Sequence, residues 1–100
     1  MRYVPRLKRR RNMIVKELKV LNELGIHARV ASRLVRCASG FESSINAQKN
    51  GNVHDFKNVL GVMTLNTKCG ETVTIEIGGP DETEAAEAIE HLFAIRFGER

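Results

Sequence analysis

Apolar residues recur at every second position in some stretches of the chain and at every third or fourth in others, and that change of period orders the elements. Residues 13–21, MIVKELKVL, predict a strand with Ile14, Leu18 and Val20 on one face and Lys16 interrupting it. Asn22-Glu23-Leu24-Gly25 has turn chemistry. Over residues 28–38, Ala28, Ala31, Leu34, Val35 and Ala38 fall at helical spacing, and Ser39-Gly40 supplies a C-terminal stop. Residues 43–48 alternate again, with Ser43, Ile45 and Ala47 opposite Ser44, Asn46 and Gln48. Asn50-Gly51 then marks a tight hairpin, with a return strand at about 53–56. VLGVMTL, residues 59–65, reads as a short helix capped by Asn58. Residues 72–77 alternate cleanly, Val73, Ile75 and Ile77 facing in, until Gly78-Gly79-Pro80 breaks the strand. Asp81, with Glu84 three residues on, predicts a capping box for a last helix whose buried stripe is Ala85, Ala88, Ile89, Leu92 and Ile95.

The order is β-α-β-β-α-β-α. Four strands with one buried face and three helices to cover it predict an α+β two-layer sandwich, a single domain over residues 13–100. Of the 100 residues 42% are hydrophobic, enough for a small core. No apolar run approaches the ~20 residues of a membrane span. Lys16, Glu17 and Lys19 break the stretch a secretory signal needs after its basic start, so none is expected. Two cysteines, Cys37 and Cys69, are too few for a disulfide scaffold and read as reduced thiols of a cytoplasmic protein.

The net charge of +4 changes meaning once it is divided along the chain. Arg2, Arg6, Lys8, Arg9, Arg10 and Arg11 stand in the first twelve residues without an acid, which leaves residues 13–100 at −2. Such an arm suits nucleic acid or an anionic membrane surface. The simpler reading, preferred here, is a disordered and incidental arm, since Met13 opens the strand pattern and could be the true start. One Tyr, four Phe and no Trp leave too few aromatics for a base-stacking surface.

The chemistry lies in Leu24-Gly25-Ile26-His27-Ala28-Arg29-Val30-Ala31. A helix starting just after His27 directs the free N–H groups of its first turn toward the ring, and such an end attracts anions. Arg29 adds a fixed charge able to hold phosphate through two donors. Both influences keep a ring nitrogen unprotonated and nucleophilic near neutral pH, so the segment could accept a phosphoryl group and hold it. A histidine that merely caps a helix beside a surface arginine explains the same residues equally well.

Gly25-Ile26-His27-Ala28-Arg29 resembles the active-site motif of the HPr family, the phosphocarriers of the bacterial phosphoenolpyruvate-dependent phosphotransferase system. Lys57-Asn58-Val59-Leu60-Gly61-Val62-Met63-Thr64-Leu65 is similar to the family's second-helix signature, at a separation that needs no insertion. The resemblance covers about residues 13–97. It implies an open-faced antiparallel sheet with the three helices on one face. It also implies that His27 is phosphorylated on Nδ1, receiving the group from phosphorylated enzyme I and passing it to an enzyme IIA-type histidine. Arg29 matches the arginine that contacts the phosphoryl group, and Ala28 the residue whose backbone N–H helps hold it. No cofactor or metal is implied, and the protein acts as one covalent intermediate in a relay, for which a monomer suffices, with no turnover reaction of its own.

Two positions depart from the pattern. Val30 stands where the family usually has proline, which puts the transfer rate in question more than the chemistry. Asn58 replaces a serine that a regulatory kinase phosphorylates in Gram-positive members, so regulation through this position is not expected. Five apolar residues in the seven of VLGVMTL exceed what one stripe of a two-turn helix can bury. Val62 and Leu65 are assigned to the core, and Val59, Leu60 and Met63 to a docking surface for partners. His54, His91 and the cysteines show no ligand spacing and are expected to be packed or solvated. Two further functions stay open: an HPr-like regulator whose phosphorylation state partners sense, and, less favoured, nucleic-acid binding through the arm.

Overall fold

The computed structural model describes residues 13–100. Its elements are β1 (Ile14–Lys19), α1 (Ala28–Ser39), β2 (Ser44–Lys49), β3 (Asn52–Asp55), α2 (Val59–Met63), β4 (Thr72–Gly78) and α3 (Glu82–Ala94), with a 3-10 turn at Arg96–Gly98. The basic arm of residues 1–12 and its two readings lie outside the described residues.

The strands form one sheet in the order β1-β4-β2-β3, antiparallel throughout. Ile77 pairs with Ile14 on one side and Ile45 on the other, and Ile75 is opposite Ala47. Because side chains alternate along a strand, this register gathers the apolar positions onto one face. Val73, Ile75, Ile77, Ile45 and Ala47 are wholly buried there. Asn50 and Gly51 both take left-handed backbone (φ 54° and 81°), the two-residue turn that suits the sheet's twist. The three helices cover the buried face, as the alternation of periods predicts.

The α1 stripe is buried at Val30, Ala31, Leu34 and Ala38. Ala28, expected on that stripe, is exposed at the first helical position, and Val30 takes its share of the core. On α3 the buried set is Ala85, Ala86, Ile89 and Phe93, while Ile95 is exposed and Ala88 and Leu92 only half-buried. Ala85, Ile89 and Phe93 are four residues apart. Turning this line inward buries an aromatic ring, the largest apolar group available, in place of Ile95.

The capping box is absent. Asp81 stands at the N-cap of α3, but its side chain makes no cap bond. Its carboxylate instead accepts from Glu42 N (3.0 Å), Ser43 N (2.9 Å) and Ser43 Oγ (2.6 Å), and Glu82 accepts from Gly79 N (3.0 Å). The two amides lie just before β2, outside its ladder, and the carboxylate satisfies them where strand pairing does not. Lys16 faces the covered side from the edge strand and reaches out to Glu90 on α3 at 3.7 Å. None of the described helices is long and apolar enough to cross a membrane.

Candidate functional site

The loop joining β1 to α1 is fixed at Gly25. Its φ is +72°, and a Cβ there would stand 2.7 Å from the Thr67 carbonyl oxygen. Only glycine fits both constraints. Next to it Ile26 N–H donates to that same Thr67 oxygen at 2.9 Å, and Asn22 Nδ2 donates to the Gly25 carbonyl at 2.7 Å. The chain is thereby delivered to His27 in extended conformation (φ −105°, ψ −176°), the backbone an N-cap needs.

His27 caps α1 twice. Its carbonyl accepts from Ala31 N–H at 2.8 Å, and its ring Nδ1 accepts from Arg29 N–H at 3.3 Å. The side chain is 30% exposed, so the ring is held yet reachable. Nδ1 receives a donor and therefore presents its lone pair; the ring proton belongs on Nε2. There Nε2–H donates to the Glu99 carboxylate at 2.8 Å. The second-closest helper is Asn22, whose Nδ2 donates to the same oxygen at 2.9 Å. Glu99 is consequently held below the usual carboxylate range, first by the hydrogen bond from His27 and then by that from Asn22.

Beside the ring the surface is open and carries charges of both signs. Arg29 is exposed and, with Glu23, Leu24, Glu99 and Arg100, lines a cleft of about 280 Å³. The N–H groups of Ala28 and Val30 donate to no protein acceptor among the described residues. Val30 lies buried in the first turn, which forms without proline. Nδ1, its lone pair engaged only by the Arg29 amide, thus stands at a helix start near the unpaired amides of Ala28 and Val30, with Arg29 lining the adjoining cleft, an arrangement able to accept and retain a phosphoryl group.

The helix α2 packs against α1. Asn58 Oδ1 caps it by accepting from Gly61 N–H at 3.1 Å. Val62 and Leu65 are buried, and Val59, Leu60 and Met63 are exposed, Leu60 by 73%. Leu24, in the loop before His27, is 77% exposed and escaped the sequence argument, because a lone leucine in a turn carries no periodic signal. Asn22 and Glu99 escaped it as well: Glu99 meets His27 from 72 residues away, and only the fold brings them together.

His54 is held through Nδ1 by the Gly61 carbonyl (3.0 Å) and Thr64 Oγ1 (3.1 Å), joining β3 to α2. Cys37 is half-buried and burial pushes its thiol up, whereas Cys69 is exposed. No three His, Cys, Asp or Glu side chains among the described residues gather as metal ligands would.

Residues 14–94 match the family model of the PTS HPr component phosphorylation site. The phosphocarrier protein HPr of Cupriavidus necator is 42% identical over 87 residues, covering 87% of this chain and 98% of that protein. The phosphocarrier protein HPr of Treponema pallidum is 40% identical over 87 residues, 87% of this chain and 99% of that protein. Among solved structures, the crystal structure of HPr from Thermoanaerobacter tengcongensis superposes with a TM-score of 0.83 at 33% identity, covering 87% of this chain and 98% of that one. Two motifs, one sheet topology and matches along nearly the whole length agree, and this chain belongs to the HPr family of phosphocarrier proteins of the phosphotransferase system.

Proposed function

We propose that His27 Nδ1 is the phosphoryl acceptor of this phosphocarrier, taking the group from phosphorylated enzyme I and delivering it to the histidine of an enzyme IIA-type protein. The observation that carries the reading is the unprotonated Nδ1 at the first turn of α1, held only by a long bond from the Arg29 amide, with the ring proton on the other nitrogen facing Glu99. As the lone pair attacks phosphorus, the bond from phosphorus to the donor histidine breaks and the donor ring leaves neutral. The transferred oxygens come to lie against the amides of Ala28 and its neighbours and the guanidinium of Arg29. None of these groups is a base placed to activate water, so the phosphohistidine persists until an acceptor arrives.

Val59, Leu60 and Met63 form the docking patch for both partners, which a relay protein must meet with the same face. Small, short-lived complexes suit this role. The protein acts in the cytoplasm as a single domain and as a monomer. Incubation with phosphoenolpyruvate, enzyme I and magnesium adds one acid-labile phosphate, read as a single mass shift. His27→Ala abolishes the shift, and a shift that survives the replacement places the site elsewhere.

A further inference from the structure

We infer that Glu99 is a positioning residue for phosphoryl transfer: its carboxylate holds the ring proton on Nε2 and faces the positive charge the ring acquires once Nδ1 is phosphorylated. This rests on the proposed role of His27. It concerns a residue beyond the stretch matched by the family model, which ends at residue 94.

The first support is the way the chain is turned to bring Glu99 there. After α3, Arg96, Phe97 and Gly98 all have positive φ (58°, 55° and 80°). Left-handed backbone is unfavourable at a non-glycine residue and persists where surrounding contacts enforce it. Those contacts are present. Phe97 is buried against Phe93, ring centroids 4.8 Å apart and nearly edge-on at 67°. Arg33, from α1, donates to the Phe97 carbonyl. Beyond the turn, Glu23 N–H donates to the Arg100 carbonyl, so the tail is tied to the loop on the far side of Glu99 as well. The carboxylate is therefore fastened before and after in sequence, and by Asn22 from the side.

The second support is the charge balance of the reaction. The free ring is neutral, with its proton on Nε2. When Nδ1 attacks the phosphorus of a phosphorylated imidazolium, the N–P bond of the donor breaks, and its electron pair returns to the donor ring, which becomes neutral. His27 then carries the phosphoryl group on Nδ1 and the proton on Nε2, and the positive charge has moved onto its ring. No proton needs to be transferred. The charge develops 2.8 Å from a carboxylate already in contact with that nitrogen, so the electrostatic partner is in place before the reaction begins. Glu99 is the charged group in contact with the ring, and Arg29, Glu23 and Arg100 line the same cleft as Glu99.

Three variants separate geometry from charge. Glu99→Gln keeps an oxygen for Nε2–H and Asn22 but removes the charge; Glu99→Ala removes both; a chain ending at residue 98 checks that any loss does not come from the new side chain. Nitrogen-15 NMR of the imidazole reads the tautomer. Phosphoramidate, a small donor with a P–N bond, reads phosphorylation without protein docking. The wild type is expected to show the Nε2–H tautomer. Glu99→Gln should retain that tautomer and be phosphorylated about fivefold to tenfold more slowly, as replacing a charged hydrogen-bond partner by a neutral one implies. Glu99→Ala and the shortened chain should lose the tautomer preference and slow by more than tenfold. Wild-type tautomer ratio and rate in Glu99→Ala, within a factor of two, overturn the inference. Failure of the wild type to be phosphorylated overturns the role of His27, and the tautomer measurement still decides whether Glu99 fixes the proton.

Discussion

Replacing Gly25 by alanine tests how the loop delivers His27 to the helix. The residue has φ +72°, and the added Cβ would come to 2.7 Å from the Thr67 carbonyl oxygen and 3.0 Å from the Lys68 Cα. Both obstacles are backbone, which cannot swing aside as a side chain can. Left-handed backbone costs an alanine ~1–2 kcal/mol. Relieving the contact means parting the loop from residues 67–68, which forfeits the Ile26 N–H to Thr67 hydrogen bond (2.9 Å), a further ~0.5–1.5 kcal/mol. The sum is about 1.5–3.5 kcal/mol, a midpoint lowered by roughly 6–28 °C for a domain of this size. The same displacement moves His27, whose N–H donates to the Gly25 carbonyl at 3.2 Å, off the axis of α1. Thermal unfolding followed by circular dichroism gives the first quantity, and the rate of phosphate incorporation well below the midpoint gives the second. A G25A protein that melts with the wild type and is phosphorylated at the same rate refutes the reasoning, because nothing else at this position explains the glycine.

Two other outcomes follow from the geometry. Leu60 is 73% exposed, so Leu60→Ser should leave the melting temperature within about 2 °C while raising the concentration of phosphorylated enzyme I needed for half-maximal transfer several-fold; an unchanged requirement removes Leu60 from the docking patch. Asp81 is pulled down to about 2 from an ordinary 3.8, chiefly by the Ser43 hydroxyl and then by the Glu42 amide. Its contribution to stability is therefore complete above pH 4 and is lost as the pH falls toward 2. Asp81→Asn should be less stable than the wild type at pH 6, the two curves converging on acidification; parallel curves over that window contradict the reading.

Much of the fold is legible in the sequence because it is written in short-range patterns. The alternation in TVTIEI names the inward face of β4, Asn50-Gly51 names the hairpin, and Asn58 names the start of α2, each through a preference acting over two to four residues. His27 is legible for the same reason. Its place at the helix entrance and the arginine two residues on are local facts, and they mark a candidate anion site. The misreadings have a common origin in competition between partners. The sequence offers Asp81 a Glu84 three residues on, but the unpaired amides of Glu42 and Ser43 take its carboxylate instead. On α3, Ile95 and Phe93 both suit an apolar stripe, and which one turns inward is settled by what Phe97 brings against it.

The sequence by itself therefore determined the order of elements, the inward faces of the strands and the place of His27 at the entrance to α1, all of which follow from periodicity and from residues within one turn of each other. Only the tertiary structure decided which ring nitrogen of His27 carries the proton. That choice depends on Glu99 and Asn22, which approach it from opposite directions along the chain. A hydrogen bond forms between atoms about 3 Å apart whatever the length of chain between them, and no local pattern records a contact across 72 residues.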